Sequence, residues 1–190
     1  MMQPAIMPGM SVADSDEALM QRFAAGDAPA FDTLYQRHEM KLWRYLRRGV
    51  GEQATAEELM QEVWFTVARE APRYRPVAKF TTWLFTLAHH RLIDHWRTRR
   101  PHAPLEAVEE LIEDDSPTPL QQLQSQQQAA ALLTAVEQLP PEQRAAFLLQ
   151  AEGEMSVEDI ATTMGVSFET TKSRLRYARA RLRQLLQECA

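Results

Sequence analysis

A single glycine, Gly165, divides the segment from Met155 to Cys189 into two helical patterns, and that division leaves the C-terminal end few folds to adopt. Ahead of it, Ser156 is placed to cap a helix, and Glu158 and Asp159 fall in its first turn, where acids suit the positive dipole end. Val157, Ile160, Ala161 and Met164 recur at helical spacing, and glycine tolerates the positive φ with which such a helix ends. Beyond it, Ser167 is positioned to cap a second helix with the apolar stripe Leu175, Ala178, Leu182 and Leu185. Lys172, Arg176, Arg179 and Arg183 form a neighbouring stripe of one cation per turn, with Glu169 as the only acid from Phe168 to Leu186. A solvated helix usually mixes signs along its face. Two helices joined by so short a turn follow the helix-turn-helix plan, whose second helix enters the major groove of DNA.

The net charge of −5 argues at first against a nucleic-acid binder, but the charge is segregated. Arg73, Arg75, Lys79, Arg91, Arg97, Arg99 and Arg100 face a lone acid, Asp94, within their stretch. Between the two basic modules, Glu106, Glu109, Glu110, Glu113, Asp114 and Asp115 crowd together without a cation. Basic modules flanking an acidic strip carry more meaning than the sum. Cys189 is the only cysteine, so no internal disulfide forms and no thiolate zinc site can be assembled within the chain. The start has no basic region followed by an apolar run, and no run approaches the length that spans a bilayer; a cytoplasmic protein is expected.

The patterns predict an all-α protein of two small helical domains joined by a flexible acidic linker. Residues 1–13 read as a disordered lead-in, 14–100 as the N-terminal domain, 101–126 as the Pro/Gln-rich linker and 127–190 as the helix-turn-helix domain. In the N-terminal domain, Asp16 is expected to cap a first helix. Helices follow over Pro29–Arg48, with His38 on the buried face, Glu57–Arg69 and Phe80–Arg99, and an ordered loop over Ala71–Lys79 contains Pro72 and Pro76. Aromatic rings interleaved with cations in Tyr74-Arg75-Pro76-Val77-Ala78-Lys79-Phe80 and Thr81-Thr82-Trp83 suit unpaired bases. Trp83 and Trp96 also lie at core spacing, and for Trp83 core packing is an equally good reading. His89, His90 and His95 have no i,i+3 or i,i+4 pair among them, so they read as polar surface or DNA-facing residues rather than metal ligands. No nucleophile-base pair or glycine-rich phosphate loop emerges, so neither enzyme activity nor a cofactor is expected.

These segments, in order, resemble the extracytoplasmic-function (ECF) sigma factors, the two-domain subunits that direct bacterial RNA polymerase to promoters. The resemblance runs from Leu19 to Leu186 through Ala56-Glu57-Glu58-Leu59-Met60-Gln61-Glu62-Val63-Trp64, Phe80-Thr81-Thr82-Trp83-Leu84, Arg91-Leu92-Ile93-Asp94-His95 and Thr171-Lys172-Ser173-Arg174-Leu175. It implies core-polymerase contacts at Glu58, Gln61, Glu62 and Phe65. It implies contact with the downstream (−10) element at Arg75, Lys79, Phe80, Trp83, His90, Arg91, Arg97, Arg99 and Arg100. It implies reading of the upstream (−35) element by Thr170, Lys172, Ser173, Arg174, Arg176 and Arg179, with Arg174, Arg179 and Arg183 divided between phosphate and packing. Core polymerase, promoter DNA and an anti-sigma factor are the implied partners. His89-His90, Thr81 and Tyr177 depart from the family pattern and leave the downstream base preference open. A stand-alone helix-turn-helix regulator would need an α/β receiver or ligand domain upstream, which the pattern lacks; a decoy that only sequesters an anti-sigma factor would need neither set of cations.

Overall fold

The computed structural model describes residues 15–98 and 130–188, all helix and connecting turns with no strand among them. The N-terminal half holds α1 (Asp16–Ala24), α2 (Ala28–Val50), α3 (Gln53–Glu70), a 3₁₀ turn (Ala71–Arg73) and α4 (Phe80–Thr98). The C-terminal half holds a helix over 130–137 (α5), then α6 (Pro141–Ala151), α7 (Val157–Met164) and α8 (Phe168–Glu188).

Helix boundaries follow local chemistry. Ser15, not Asp16, caps α1: its hydroxyl accepts from the Ala18 amide at 3.2 Å. Asp27 precedes α2 without a side-chain cap bond, because its carboxylate is taken by Arg22 at 2.6 Å. Gly51, at φ 78°, ends α2 two residues beyond the expected stop. Helix α3 starts earlier than the apolar periodicity suggests, since Thr55 and Ala56 are buried and Thr55 Oγ1 donates to Glu52 at 2.8 Å. Pro141 opens α6, as its missing N–H costs nothing in a first turn. The first turn of α4 is tied down from a distance, the Phe80 amide donating to Glu17 of α1 at 2.7 Å.

Helix α2 is the spine. Leu34, His38, Leu42, Tyr45, Leu46 and Gly49 follow one stripe along it and are buried under α1, α3 and α4. At Gly49 the helices approach so closely that a Cβ would sit 2.7 Å from Leu92, and Trp96 Nε1 donates to the Gly49 carbonyl at 3.3 Å. In the C-terminal half α8 packs on α6 and α7 through the expected stripe of Leu175, Ala178, Leu182 and Leu185. The two halves also meet, α2 against α6 and α4 against α7, so buried side chains form one continuous cluster across them.

Candidate nucleic-acid and polymerase interfaces

The helix-turn-helix is built by its caps. The Ser156 hydroxyl accepts from the Asp159 amide at 3.1 Å and opens α7. Gly165 closes it at φ 63°, with its own amide bonded to Thr162 O and the Val166 amide to Ala161 O. Those two bonds make a Schellman motif, which turns the chain sharply and satisfies carbonyls that would otherwise be left open. The Ser167 hydroxyl then accepts from the Thr170 amide at 3.1 Å and starts α8. Thr171 is fully buried and bonds Ser167 O, locking the turn to the helix.

With its apolar stripe buried, α8 turns Thr170, Lys172, Arg176 and Arg179 outward, and Ser173 is half-buried. Lys172 lies 5.4 Å from the centre of the Phe168 ring and 3.7 Å from Glu169. The Arg176 guanidinium lies over the Tyr177 ring, 5.0 Å from its centre, so Tyr177 orients a neighbouring cation. Arg174 differs. Its side chain is largely covered and paired with Glu142 of α6, a packing position. Arg179 donates to Gln150 of α6 at 2.5 Å while remaining exposed.

In the N-terminal half, Arg75 and Lys79 stand exposed on the loop before α4, with His90 and Arg97 exposed along that helix. Val77, at the loop's tip, is 93% exposed, an apolar group that sequence patterning alone gave no reason to single out. Phe80 is a correction to the expected set of DNA contacts: its ring is fully buried against His38, Tyr74 and Trp83. Burial removes that ring from any base and leaves it holding the loop's anchor. Trp83 is half-buried, its ring tilted against Tyr74 with centroids 5.1 Å apart, so it keeps an open edge. Arg91 reaches Glu62 of α3 at 3.5 Å and joins two surfaces that sequence reading kept apart. Arg99 and Arg100 lie outside the described residues. His89 is a second correction. It is buried against Tyr45, not surface or DNA-facing, because α4 turns it toward α2 while its neighbour His90 points out.

Glu58, Gln61, Glu62 and Phe65 are all exposed on α3, at i, i+3, i+4 and i+7 of one face. Beside them a groove of about 620 Å³ runs between α2 and α3, lined by Tyr35, Trp43, Met60, Trp64 and Phe65 among others. Phe65 is 68% exposed at its rim, and the buried indole N–H of Trp64 has no hydrogen-bond partner among the described residues. An apolar groove with an exposed aromatic and a rim of acids is the form of a helix-docking surface. Its α2 wall was not legible from the spacing on α3.

Comparison with known proteins agrees with this layout. Residues 34–102 match the Sigma-70 region 2 family model and residues 121–182 the Sigma-70 region 4 model. The chain is 33% identical over 186 residues to the RNA polymerase sigma factor CarQ of Myxococcus xanthus, covering 89% of this chain and 96% of that one. It is 32% identical over 193 residues to the ECF RNA polymerase sigma factor SigM of Mycobacterium tuberculosis, covering 96% and 90%. The chain belongs to the ECF sigma factors. As a sigma factor, it directs transcription. The fold of this sigma factor is shared with the sigma factor RpoE of Bartonella quintana, solved in complex with the anti-sigma factor NepR, at a TM-score of 0.67 and 23% identity over 83% of this chain and 96% of that one. Among the described residues, no helix is long and apolar enough to cross a membrane, and no cluster of His, Cys, Asp and Glu could hold a metal ion.

Proposed function

We propose that this sigma factor binds core RNA polymerase through the exposed face of α3 and its groove, opens the −10 element with the loop before α4, and reads the −35 element with α8. The observation that carries this reading is the division of exposed side chains. Cations stand outward on α8 and around the α4 loop, while α3 offers acids and an aromatic. Cations suit phosphate and base edges; a mixed acidic and apolar face suits a protein helix.

On α8, Lys172 and Arg176 sit near the helix N-terminus, the part of a recognition helix that meets base edges. Thr170 and Ser173 flank them, and Arg179 serves phosphate. Arg174 acts indirectly, by holding α8 against α6. At the downstream element, Arg75, Lys79, His90, Arg91 and Arg97 hold backbone, joined by Arg99 and Arg100. Val77 and the open edge of Trp83 meet unpaired bases. Extruding a base costs a few kcal/mol, so selection at that element comes from strand opening as well as binding. Nothing in this scheme requires a catalytic group or a cofactor. The sigma factor acts in the cytoplasm, where core polymerase and promoter DNA are, and an anti-sigma factor restrains it. That last partner is supported by the RpoE relative, which was solved with one.

The test is promoter-directed transcription with purified core polymerase. The Phe65→Ala chain should join the polymerase at least about tenfold more weakly while remaining folded, and the Arg176→Ala chain should join it and lose upstream selectivity.

A further inference from the structure

The residues leading into α4, Pro76-Val77-Ala78-Lys79, include no Ser, Thr, Asp or Asn to accept from the first amides of that helix. The acceptor comes from α1, 63 residues earlier in the chain: Glu17 Oε1 takes the Phe80 N–H at 2.7 Å. That amide holds the Glu17 carboxyl below the usual carboxylate range, so the group stays charged at the positive end of α4. The preceding acid binds the spine. Asp16 Oδ2 lies 2.7 Å from His38 Nε2, and Asp16 Oδ1 accepts from Arg37 Nη1 at 2.7 Å, both partners on α2. Two consecutive carboxylates of α1 thus tie the start of α4 to α2, and the His38 ring packs on Phe80 with centroids 5.4 Å apart.

The tie acts on one end of the loop before α4. Residues 75–79 are all exposed, bracketed by the buried Tyr74 and Phe80. The Tyr74 ring lies 5.1 Å from Trp83 and 6.3 Å from Phe80, and α1 also packs on the 3₁₀ turn ahead of the loop. The loop's shape is therefore set where its ends enter the body of the domain, and Glu17 governs the end that starts α4. Extruding a base costs free energy, and ordering a slack loop at the same moment would add backbone entropy to that cost. A loop fixed beforehand avoids the second part.

We propose that Glu17 is a positioning residue for strand opening: by capping α4 from α1 it holds Arg75 to Lys79 and the open edge of Trp83 in place before DNA arrives. Glu17 itself touches no base and acts through the Phe80 amide. The inference rests on the reading given above, that this loop opens the −10 element.

The test uses the full chain with core polymerase on a genomic fragment from which the natural chain starts RNA, with 2-aminopurine placed in the downstream element so that fluorescence rises on unpairing. Glu17→Ala should slow that rise at least about tenfold, while association with the polymerase stays within about twofold. Glu17→Gln, whose amide oxygen still accepts from Phe80, should open within about threefold of the natural rate. On the same fragment with the downstream element mismatched, and so already unpaired, Glu17→Ala should start RNA within about threefold of the natural chain. Ser15→Ala removes a cap from the same helix without touching α4, and should open at the natural rate. Equal opening by Glu17→Ala and the natural chain would overturn the role of Glu17. An equal loss in Ser15→Ala, or a loss undiminished on the mismatched fragment, would mean a general weakening of the fold and overturn positioning. A natural chain that starts RNA with no rise in fluorescence would overturn the opening reading itself, and the role of Glu17 with it.

Discussion

The phenol of Tyr45 on α2 lies 3.0 Å from Nδ1 of His89 on α4, with both side chains buried. Burial pushes the phenol up, so it stays protonated beside a neutral imidazole. Burial also pulls the His89 imidazole down to about 4, with smaller contributions from the positive charges of His90 and Arg174.

That depression has a sign. The folded chain keeps His89 neutral at pH values where the unfolded chain already binds its proton, so acid favours unfolding. The contribution is intact above about pH 6.5 and declines as pH falls toward 4, by at most about 3 kcal/mol. Thermal unfolding across that range should show a steep loss for the natural chain. His89→Gln keeps an acceptor near Tyr45 and removes the titration, so its loss should be shallower.

Arginines on α8 should separate by role. Arg176→Ala should cost about 1–3 kcal/mol of discrimination at one upstream base position and leave unfolding within about 0.5 kcal/mol of the natural chain. Arg174→Ala should do the reverse: it breaks the tie to Glu142, costs about 1 kcal/mol of stability and weakens DNA binding without changing base preference. Binding to a panel of altered upstream elements, alongside denaturant unfolding, measures both.

Phe65 is exposed enough that its loss should barely touch folding. Phe65→Ala should keep the unfolding midpoint and reduce association with core polymerase at least about tenfold, as a truncated aromatic anchor does. Co-elution with core enzyme at matched concentrations is the readout.

Gly165 is held at φ 63°, where a Cβ is strained. Gly165→Ala should destabilise the chain by about 1 kcal/mol through the turn alone, since open space surrounds the position. Chemical denaturation followed by far-UV circular dichroism gives the number.

Elements fixed by near neighbours were legible in the sequence. The caps at Ser156 and Ser167, the stop at Gly165 and the buried stripe of α8 each depend on residues within a turn or two. His38 was expected on the buried face of α2, and it is there, bonded to Asp16 at 2.7 Å. What sequence could not supply were relations between helices distant in the chain. Glu17 anchoring α4, His89 turning in toward Tyr45, Phe80 withdrawn from the surface and Arg174 given to Glu142 all follow from how the helices pack. Apolar spacing says that a helix has a buried face. It does not say which polar residue at that face's edge finds a partner.

The proposed function requires one chain to carry two separate promoter-reading surfaces that work only on the polymerase. Mapping RNA starts made by purified core polymerase with this sigma factor on a library of genomic fragments tests it most directly. The predicted result is a set of starts that share both an upstream and a downstream element, with Arg176→Ala relaxing only the upstream one. Starts sharing no such pair, or no RNA from a chain that does join the polymerase, would contradict it.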